Sequence, residues 1–412
     1  MSTTWAKTAI WWSVYPLGAC GAPIREPDTP GVHHRLRRLE HWLDYVIELG
    51  CNGLALGPLW ASSSHGYDVT DHRQIDPRLG DEEDFGQLVG ACHDRGIRVL
   101  LDGVFNHVSA GHPLVRTAAA DGWQSPAGRF FRHDARRPDG LSRFEGHDGL
   151  VELDHSNPAV AEDVAQTMNY WLDRGADGWR LDAAYRVPRP FWGEVLPQVR
   201  SAHPDALVVA EVLHGDYAAI AGQTGFDSIT QYELWKALWS SLKDRNPYEL
   251  VWTLERHART TGHLLPWTFV GNHDVTRIAS QIGGPSARVA WAMLMTLPGM
   301  PALYYGDERG LTGDKQERIG GDDAIRPELP DYPPALSGEA AETFRLTQLA
   351  IRVRRTHPWL VDASTQVLDR SQHRLTWRTG AFDGEWVQAD LDVTADQPRL
   401  RISDQTGELL NL

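Results

Sequence analysis

Cysteine is scarce in this chain, and cationic residues are outnumbered. Only Cys20, Cys51 and Cys92 occur among 412 residues, and no two of them fall in a CxxC spacing. This argues against a disulfide framework and a cysteine zinc site, and a reducing cytoplasm is the compartment it fits. Lysine and arginine total 40 against 55 aspartates and glutamates, a formal charge of −15. Nucleic acid is disfavoured as a partner, because phosphate binding relies on clustered cations. The basic runs HHRLRRLE and RFFRHDARRP are short and interrupted, as solvated surface is. No apolar run approaches the roughly 18 residues needed to cross a bilayer, so no membrane span is expected. The opening MSTTWAKTAIWWSVYPLG lacks an apolar core followed by a small-residue cleavage site, so the mature chain is expected to start near Met1.

Tryptophan, by contrast, is abundant at 17 residues. Indoles stack well on sugar rings, although bulky core filling accounts for most of them. From Ile10 to about Leu360, short apolar runs alternate with longer helical patterns, the rhythm of βα units in a parallel sheet. Eight strand candidates can be read: AIWWSVYP, NGLALGP, IRVLLDGVFNH, DGWRLDA, ALVVAEV, FDSITQY, WTFVGNH and ALYYGDE. Between them RLRRLEHWLDYVIELG, EDFGQLVGACHDRG and PAVAEDVAQTMNYWLDRG carry apolar residues at i, i+3, i+4 spacing and end at glycines suited to helix C-termini. The fold class expected is α/β, a (β/α)8 TIM barrel. Residues 1–107 with 151–361 form the barrel, and residues 108–150, too long for an ordinary βα loop, form a short subdomain inserted after strand three. Residues 362–412 turn to short alternating runs, read as a small C-terminal all-β module. A Gly- and Pro-rich loop, residues 310–338, follows strand eight.

Active sites of such barrels lie at the C-terminal ends of the strands. Strand three ends in Asp102, Asn106 and His107, strand four in Arg180 and Asp182, strand five in Glu211, and strand seven in Asn272, His273 and Asp274. One Asp after a strand is more often a turn or a helix cap than a catalyst; together these residues converge on one rim. In DGWRLDAAYR, alternation along a strand puts Arg180 and Asp182 on one face and Trp179 and Leu181 on the other. Taken alone, the charge pair reads as a structural ion pair inside the barrel. Three carboxylates around one cavity fit glycosidic bond cleavage, where one attacks the anomeric carbon and a second protonates the leaving oxygen. Arg180 is expected to keep Asp182 ionised, and Glu211, with no cation beside it in sequence, to stay protonated as the acid.

These stretches resemble the α-amylase family of retaining α-glucoside-cleaving enzymes. DGVFNH, GWRLD, VVAEV and FVGNHD occur in order, with HGYDVTDHRQIDPRLG, GLVELDHSNP and GMPALYYGDERGL as secondary marks, over roughly residues 10–358. The resemblance implies Asp182 as nucleophile, Glu211 as general acid/base and Asp274 as stabiliser of the transition state. It also implies that Asp102, His107, His273 and Arg180 bind the sugar and that Tyr67 stacks beneath it, core packing being the plainer reading of Tyr67. DGWRLD followed by FW, and GLTGDKQERIGGDDAIRP, are most similar to the cyclomaltodextrinase and neopullulanase group. That likeness implies a sugar-binding pair at Asp322 and Arg326, joined by Asp68, with an unrelated solvated pair as the alternative. The group's extra N-terminal domain is not seen before strand one, so its dimer does not transfer and the oligomeric state stays open.

Many amylases bind calcium beside the insertion, where Asn106 and Glu152 offer oxygen ligands. Here Arg186 replaces a histidine and Tyr185 a lysine of those enzymes, so Arg186 is expected to supply the charge, paired with Glu152, and no cofactor or metal is assigned. The substrate implied is a small carbohydrate, a short maltooligosaccharide or cyclodextrin-like α-glucoside. A transglycosylase or isomerase using the same covalent intermediate is the alternative, Tyr185 offering an acceptor an aromatic face. A non-catalytic carbohydrate-binding barrel is the remote one.

Overall fold

The computed structural model describes residues 4–25, 30–381 and 384–412; the expected start at Met1 lies outside them. All eight expected strands form: β1 Trp11–Val14, β2 Gly53–Leu56, β3 Arg98–Gly103, β4 Gly178–Leu181, β5 Leu207–Ala210, β6 Ser228–Ile229, β7 Trp267–Phe269 and β8 Met300–Tyr304. They are parallel in the order β6-β5-β4-β3-β2-β1-β8-β7, and a bridge from Thr230 to Trp267 joins the two ends. The result is a (β/α)8 barrel whose weakest seam lies between β6 and β7.

Period-two alternation sorts the strand residues into two cores. Trp11, Ala55, Leu100, Val209, Phe269 and Ala302 fill the barrel interior. Their neighbours Trp12, Leu54, Leu101, Val208 and Leu303 face the surrounding helices. Nine of the 17 tryptophans are less than 2 % exposed, which makes packing the main use of this residue.

The helices between and after the barrel strands include α1 Leu43–Leu49, α2 Glu82–Asp94, α3 Pro158–Leu172, α4 Arg189–Ala202, α5 Tyr217–Thr224, α6 Tyr232–Lys243, α7 Tyr248–Thr260, α8 Gly284–Met295 and α9 Gly338–Thr356. At α2 the Asp81 carboxylate accepts from the amides of Glu83 and Asp84 while Asp84 accepts from the Asp81 amide, a reciprocal cap. The run RLRRLEHWLDYVIELG is not one α-helix. Residues Arg35–Trp42 form a 3-10 helix that buries Leu36, Leu39 and Trp42. Spacing of three eclipses side chains in a 3-10 helix, so this apolar stripe matches that tighter turn until α1 begins.

Strand three is likewise shorter than IRVLLDGVFNH. It stops at Gly103, where a Cβ would sit 2.4 Å from the Phe105 ring that folds back over it. The chain then leaves the barrel, and His107–Ser109 pairs antiparallel with Leu150–Glu152. The excursion between carries the helix Pro113–Asp121 and isolated bridges. After α9, five strands, β9 Ser364–Arg370, β10 Arg374–Gly380, β11 Trp386–Asp392, β12 Arg399–Asp404 and β13 Gly407–Asn411, form an antiparallel sheet in sequential order. Its inner face is anchored by Trp377, whose Nε1 donates to Thr296 Oγ1 at 3.0 Å, next to the end of α8. No helix among the described residues is long and apolar enough to cross a membrane.

Candidate active site

Arg180 is the hub of the rim. Its place on β4, in register with Asp102 on β3, aims the guanidinium across two neighbouring strands. Nη1 donates to both Asp102 oxygens at 2.8 and 2.6 Å and reaches Asp182 Oδ1 only at 3.4 Å, while Nη2 lies 2.9 Å from Glu211 Oε1. This corrects the expectation that Arg180 serves Asp182 and that Glu211 has no cation. Local sequence offered Arg180 one acidic neighbour, whereas the register offers three. Asp102 accepts from Arg180 and from the Tyr67 hydroxyl, the latter at 3.1 Å, so it positions the arginine.

Glu211 has further donors. Ala183, held at φ 45° in the left-handed region that a side chain disfavours, directs its amide to Glu211 Oε2 at 2.9 Å. The Tyr232 hydroxyl donates to Oε1 at 3.0 Å and accepts from Asn272 Nδ2 at 2.9 Å. Asp182 has less support. Burial, and next the Glu211 charge, raise its carboxyl well above the usual carboxylate range against the pull of Arg180. Burial likewise lifts Asp102 to about 6 despite Arg180. Burial and the neighbouring Glu211 charge thus work against the ionised form expected of Asp182.

Asp274 sits among cations. Arg326 Nη2 is 3.0 Å from Asp274 Oδ1 and 3.1 Å from Asp322 Oδ2, and its Nε donates to the His273 carbonyl at 2.9 Å. Lys315 Nζ donates to the Asp274 carbonyl at 2.9 Å and lies 3.7 Å from Asp322. Burial would raise Asp274, but His273, Arg326, Arg180 and Lys315 outweigh it and bring it down to about 2. His273 itself is driven by burial to about 3, so at pH 7 the arginines and the lysine carry the compensating charge. The spaced pair Asp322 and Arg326 therefore does reach the rim. Asp68 does not bond to it; its oxygens accept from the Ser64 amide and hydroxyl at 3.0 and 2.6 Å.

Tyr67 stacks on His273 with planes 9° apart, and its hydroxyl contacts His273 Nε2. Tyr15 lies parallel to His273 and beneath Arg326, whose guanidinium carbon is 4.4 Å from the Tyr15 ring centre. His107 donates from Nε2 to the Tyr67 carbonyl at 3.0 Å, its Nδ1 is 3.1 Å from Asn106 Nδ2, and Phe144 covers its ring. Burial lowers it to about 3. Both nitrogens have partners within the protein, and His107 holds Tyr67 in place through its carbonyl. Tyr185, 37 % exposed, donates its hydroxyl to Glu145 at 3.0 Å. Tyr232, Tyr15 and Lys315 were missed from sequence. Lys315 stood in the loop after strand eight beside Asp322, a signal that was there to use, whereas Tyr232 and Tyr15 carry no local signal.

Arg277 fixes the loops behind this arrangement. Fully buried, it donates to the Tyr305 carbonyl, to Asp307 Oδ1 and to the Ile325 carbonyl at 2.9, 2.8 and 2.9 Å, tying the ends of β7 and β8 to the segment that delivers Arg326. Breaking such a buried pair from one side costs about 3–5 kcal/mol.

The calcium question turns on Glu152. Ser142 Oγ donates to its Oε2 at 2.5 Å, Arg132 Nη1 stands 3.6 Å away and Arg186 Nη2 4.0 Å. Two guanidinium groups at this carboxylate do not fit a hard dication, which needs oxygen ligands. Arg186 is only loosely placed, and Arg132, which the sequence did not single out, is nearer. The melting temperature is expected to agree within about 1 °C with a chelator and with millimolar calcium, since a ligand binding only the folded state would raise it; calorimetry in both buffers checks this.

A parallel eight-stranded barrel that gathers Asp182, Glu211 and Asp274 with Arg180, Arg326 and His273 on one rim has the layout of a carbohydrate-cleaving barrel. The alpha amylase catalytic domain matches residues 35–330, and the chain belongs to the alpha-amylase family. It is 31 % identical over 339 residues to a cyclomaltodextrinase from Bacillus sp, covering 75 % of this chain and 60 % of that protein. It is 32 % identical over 340 residues to neopullulanase 2 from Thermoactinomyces vulgaris, covering 75 % and 57 %. The chain thus spans about three fifths of the length of these curated relatives. In fold it is similar to the cyclic α-maltosyl-(1→6)-maltose hydrolase of Arthrobacter globiformis, solved with that cyclic sugar, at a TM-score of 0.81 and 24 % identity over 95 % of this chain and 91 % of the other.

Proposed function

We propose that the protein is a retaining hydrolase of α-glucosidic bonds in short maltooligosaccharides or cyclodextrin-like α-glucosides. One observation carries the reading: Asp182 and Glu211 meet the same Arg180 guanidinium at 3.4 and 2.9 Å, so two acids from different strands lie on one small patch of rim. Retaining enzymes hold their carboxyls about 5–5.5 Å apart. Asp182 attacks the anomeric carbon and forms a glucosyl ester as Glu211 protonates the departing oxygen. Glu211 then takes a proton from the water that cleaves the ester. The first step needs a proton on Glu211 and an ionised Asp182, and positive charge developing at the anomeric carbon favours the ionised form of Asp182. Asp274, held ionised by Arg326 and Lys315, adds negative charge beside the same centre. Tyr67 gives the sugar an aromatic floor, and Asp322 with Arg326 binds its hydroxyls. A cytoplasmic location fits three cysteines that are all free and buried.

Proton NMR of the first product from maltotriose, a cyclodextrin and pullulan tests the reading. The α-anomer is expected first, and a β-anomer appearing first would sink it. The exposed Tyr185 favours a second reading, transfer to a sugar acceptor, which in the same experiment gives products longer than the substrate as acceptor concentration rises.

A further inference from the structure

The two sides of the rim differ in how tightly their loops are joined. Glu211 follows β5, and β1 lies four strands away from β5 in either direction around the barrel. A sugar chain whose cleaved bond faces Glu211 therefore sends its non-reducing end toward the loops after β1 and β8. On the Glu211 side the surface is open, with Leu213 and Trp252 exposed. On the opposite side the segments after β2, β1, β8 and β7 are bonded into one wall.

Arg78, in the segment after β2, donates from Nη1 to the carbonyls of Pro23 and Ile24 at 2.9 and 3.2 Å and to that of Ser64 at 2.7 Å. The segment after β1 is in turn fastened to the one after β8. The Leu329 amide donates to the Ala19 carbonyl at 3.0 Å, Arg38 Nη1 lies 2.6 Å from Glu328 Oε1, and Arg25 Nη1 lies 2.6 Å from Asp323 Oδ1. A Cβ at Gly18 would sit 2.3 Å from the Arg326 carbonyl oxygen, so no side chain fits between these two backbones. The segment after β8 is then tied to the one after β7. The Gly313 carbonyl accepts from the Arg277 amide at 3.0 Å, and the Gly313 amide donates to Ser280 Oγ at 2.9 Å. Lys315 donates its amide to Thr276 Oγ1 at 3.1 Å and its ammonium to the Asp274 carbonyl at 2.9 Å.

Asp322 and Arg326, which bind the hydroxyls of the reacting unit in the reading above, belong to this wall, and Asp323, next in the chain to Asp322, turns to Arg25 and closes it. We infer that the sugar pocket ends at the Arg25–Asp323 pair, so that one glucosyl unit and no more fits behind the cleaved bond. The protein then removes single glucose units from the non-reducing ends of linear α-glucans, and cyclic sugars, which have no such end, are refused. The inference rests on Glu211 being the acid and on Asp322 and Arg326 holding the glucosyl ring. An exposed ion pair adds little stability. Its effect here is steric, and the other bonds of the wall keep the loops in place without it.

Two measurements on the full chain test this separately from the proposed activity. In the first, the initial products from maltotetraose reduced at its reducing end are resolved by chromatography. Glucose with maltotriitol is expected. Maltose with maltitol overturns the inference, as does release of sugar from a cyclodextrin, and either leaves the proposed activity standing. In R25A and D323A the maltose-to-glucose ratio is expected to rise about tenfold, the low end of what one pocket contact decides; an unchanged ratio in both variants overturns the assignment of the pair. In the second, calorimetry on the wild type compares 1-deoxynojirimycin, a one-ring glucose mimic, with its 4-O-α-glucosyl derivative. The two-ring compound is expected to bind about tenfold more weakly or worse. That result supports the one-unit pocket even if no α-glucoside were turned over, an outcome that would remove the proposed activity alone. Equal or tighter binding of the two-ring compound, or binding of neither, overturns the inference whatever the turnover.

Discussion

Asp182→Asn is expected to lower turnover of an aryl α-glucoside by roughly 10⁴-fold or more, the scale seen when a covalent nucleophile is removed. An amide cannot form the glucosyl ester, and it cannot offset positive charge at the anomeric carbon. The fold should be spared. Arg180 keeps Asp102 and Glu211 as partners, so no buried guanidinium is left without a counter-charge, and removing an acid that burial has made hard to ionise relieves some like-charge repulsion. Steady-state rates with a thermal melt check both halves. A variant that kept activity within about a hundredfold of wild type would rule Asp182 out as nucleophile.

Glu211→Gln separates acid catalysis from the rest. On maltooligosaccharides the loss is expected to be about 10²–10⁴-fold, the usual worth of general acid–base catalysis. With α-glucosyl fluoride, whose leaving group needs no proton, formation of the ester should be largely retained. The pH dependence carries a sign. The Glu211 charge is among the causes that raise Asp182, so the variant removes it and the Asp182 pKa falls. A nucleophile with a lower pKa stays ionised to lower pH. The acid limb of kcat/KM on the fluoride is therefore expected to move to lower pH in the variant. A limb that stayed in place or moved to higher pH would show that the two carboxyls do not interact.

Strand ends were legible because a period of two leaves a clear trace. Trp179 and Leu181 are both fully buried in the outer core, as alternation around Arg180 required, and the eight apolar runs are the eight barrel strands. Errors arose where the apolar pattern suited a second structure. Leu36, Leu39 and Trp42 fit a 3-10 helix as well as an α-helix, and DGVFNH continues strand three in composition although Gly103 ends it. The candidate site was legible as a set of residues but not as a set of bonds. Asp182, Glu211, Asp274 and Arg326 meet on the rim, yet His107 spends both nitrogens inside the protein and Asp68 turns to Ser64.

Sequence by itself determined the barrel and the residues delivered to its rim, because side-chain alternation and strand termination are local properties of the backbone. Tertiary structure alone decided which charge faces which. Arg180 stands two residues from Asp182 but binds Asp102, 78 residues away, more closely. Coulomb energy depends on distance through space and on burial. Both were set by how β3, β4 and β5 align, and neither has a trace in the order of the residues.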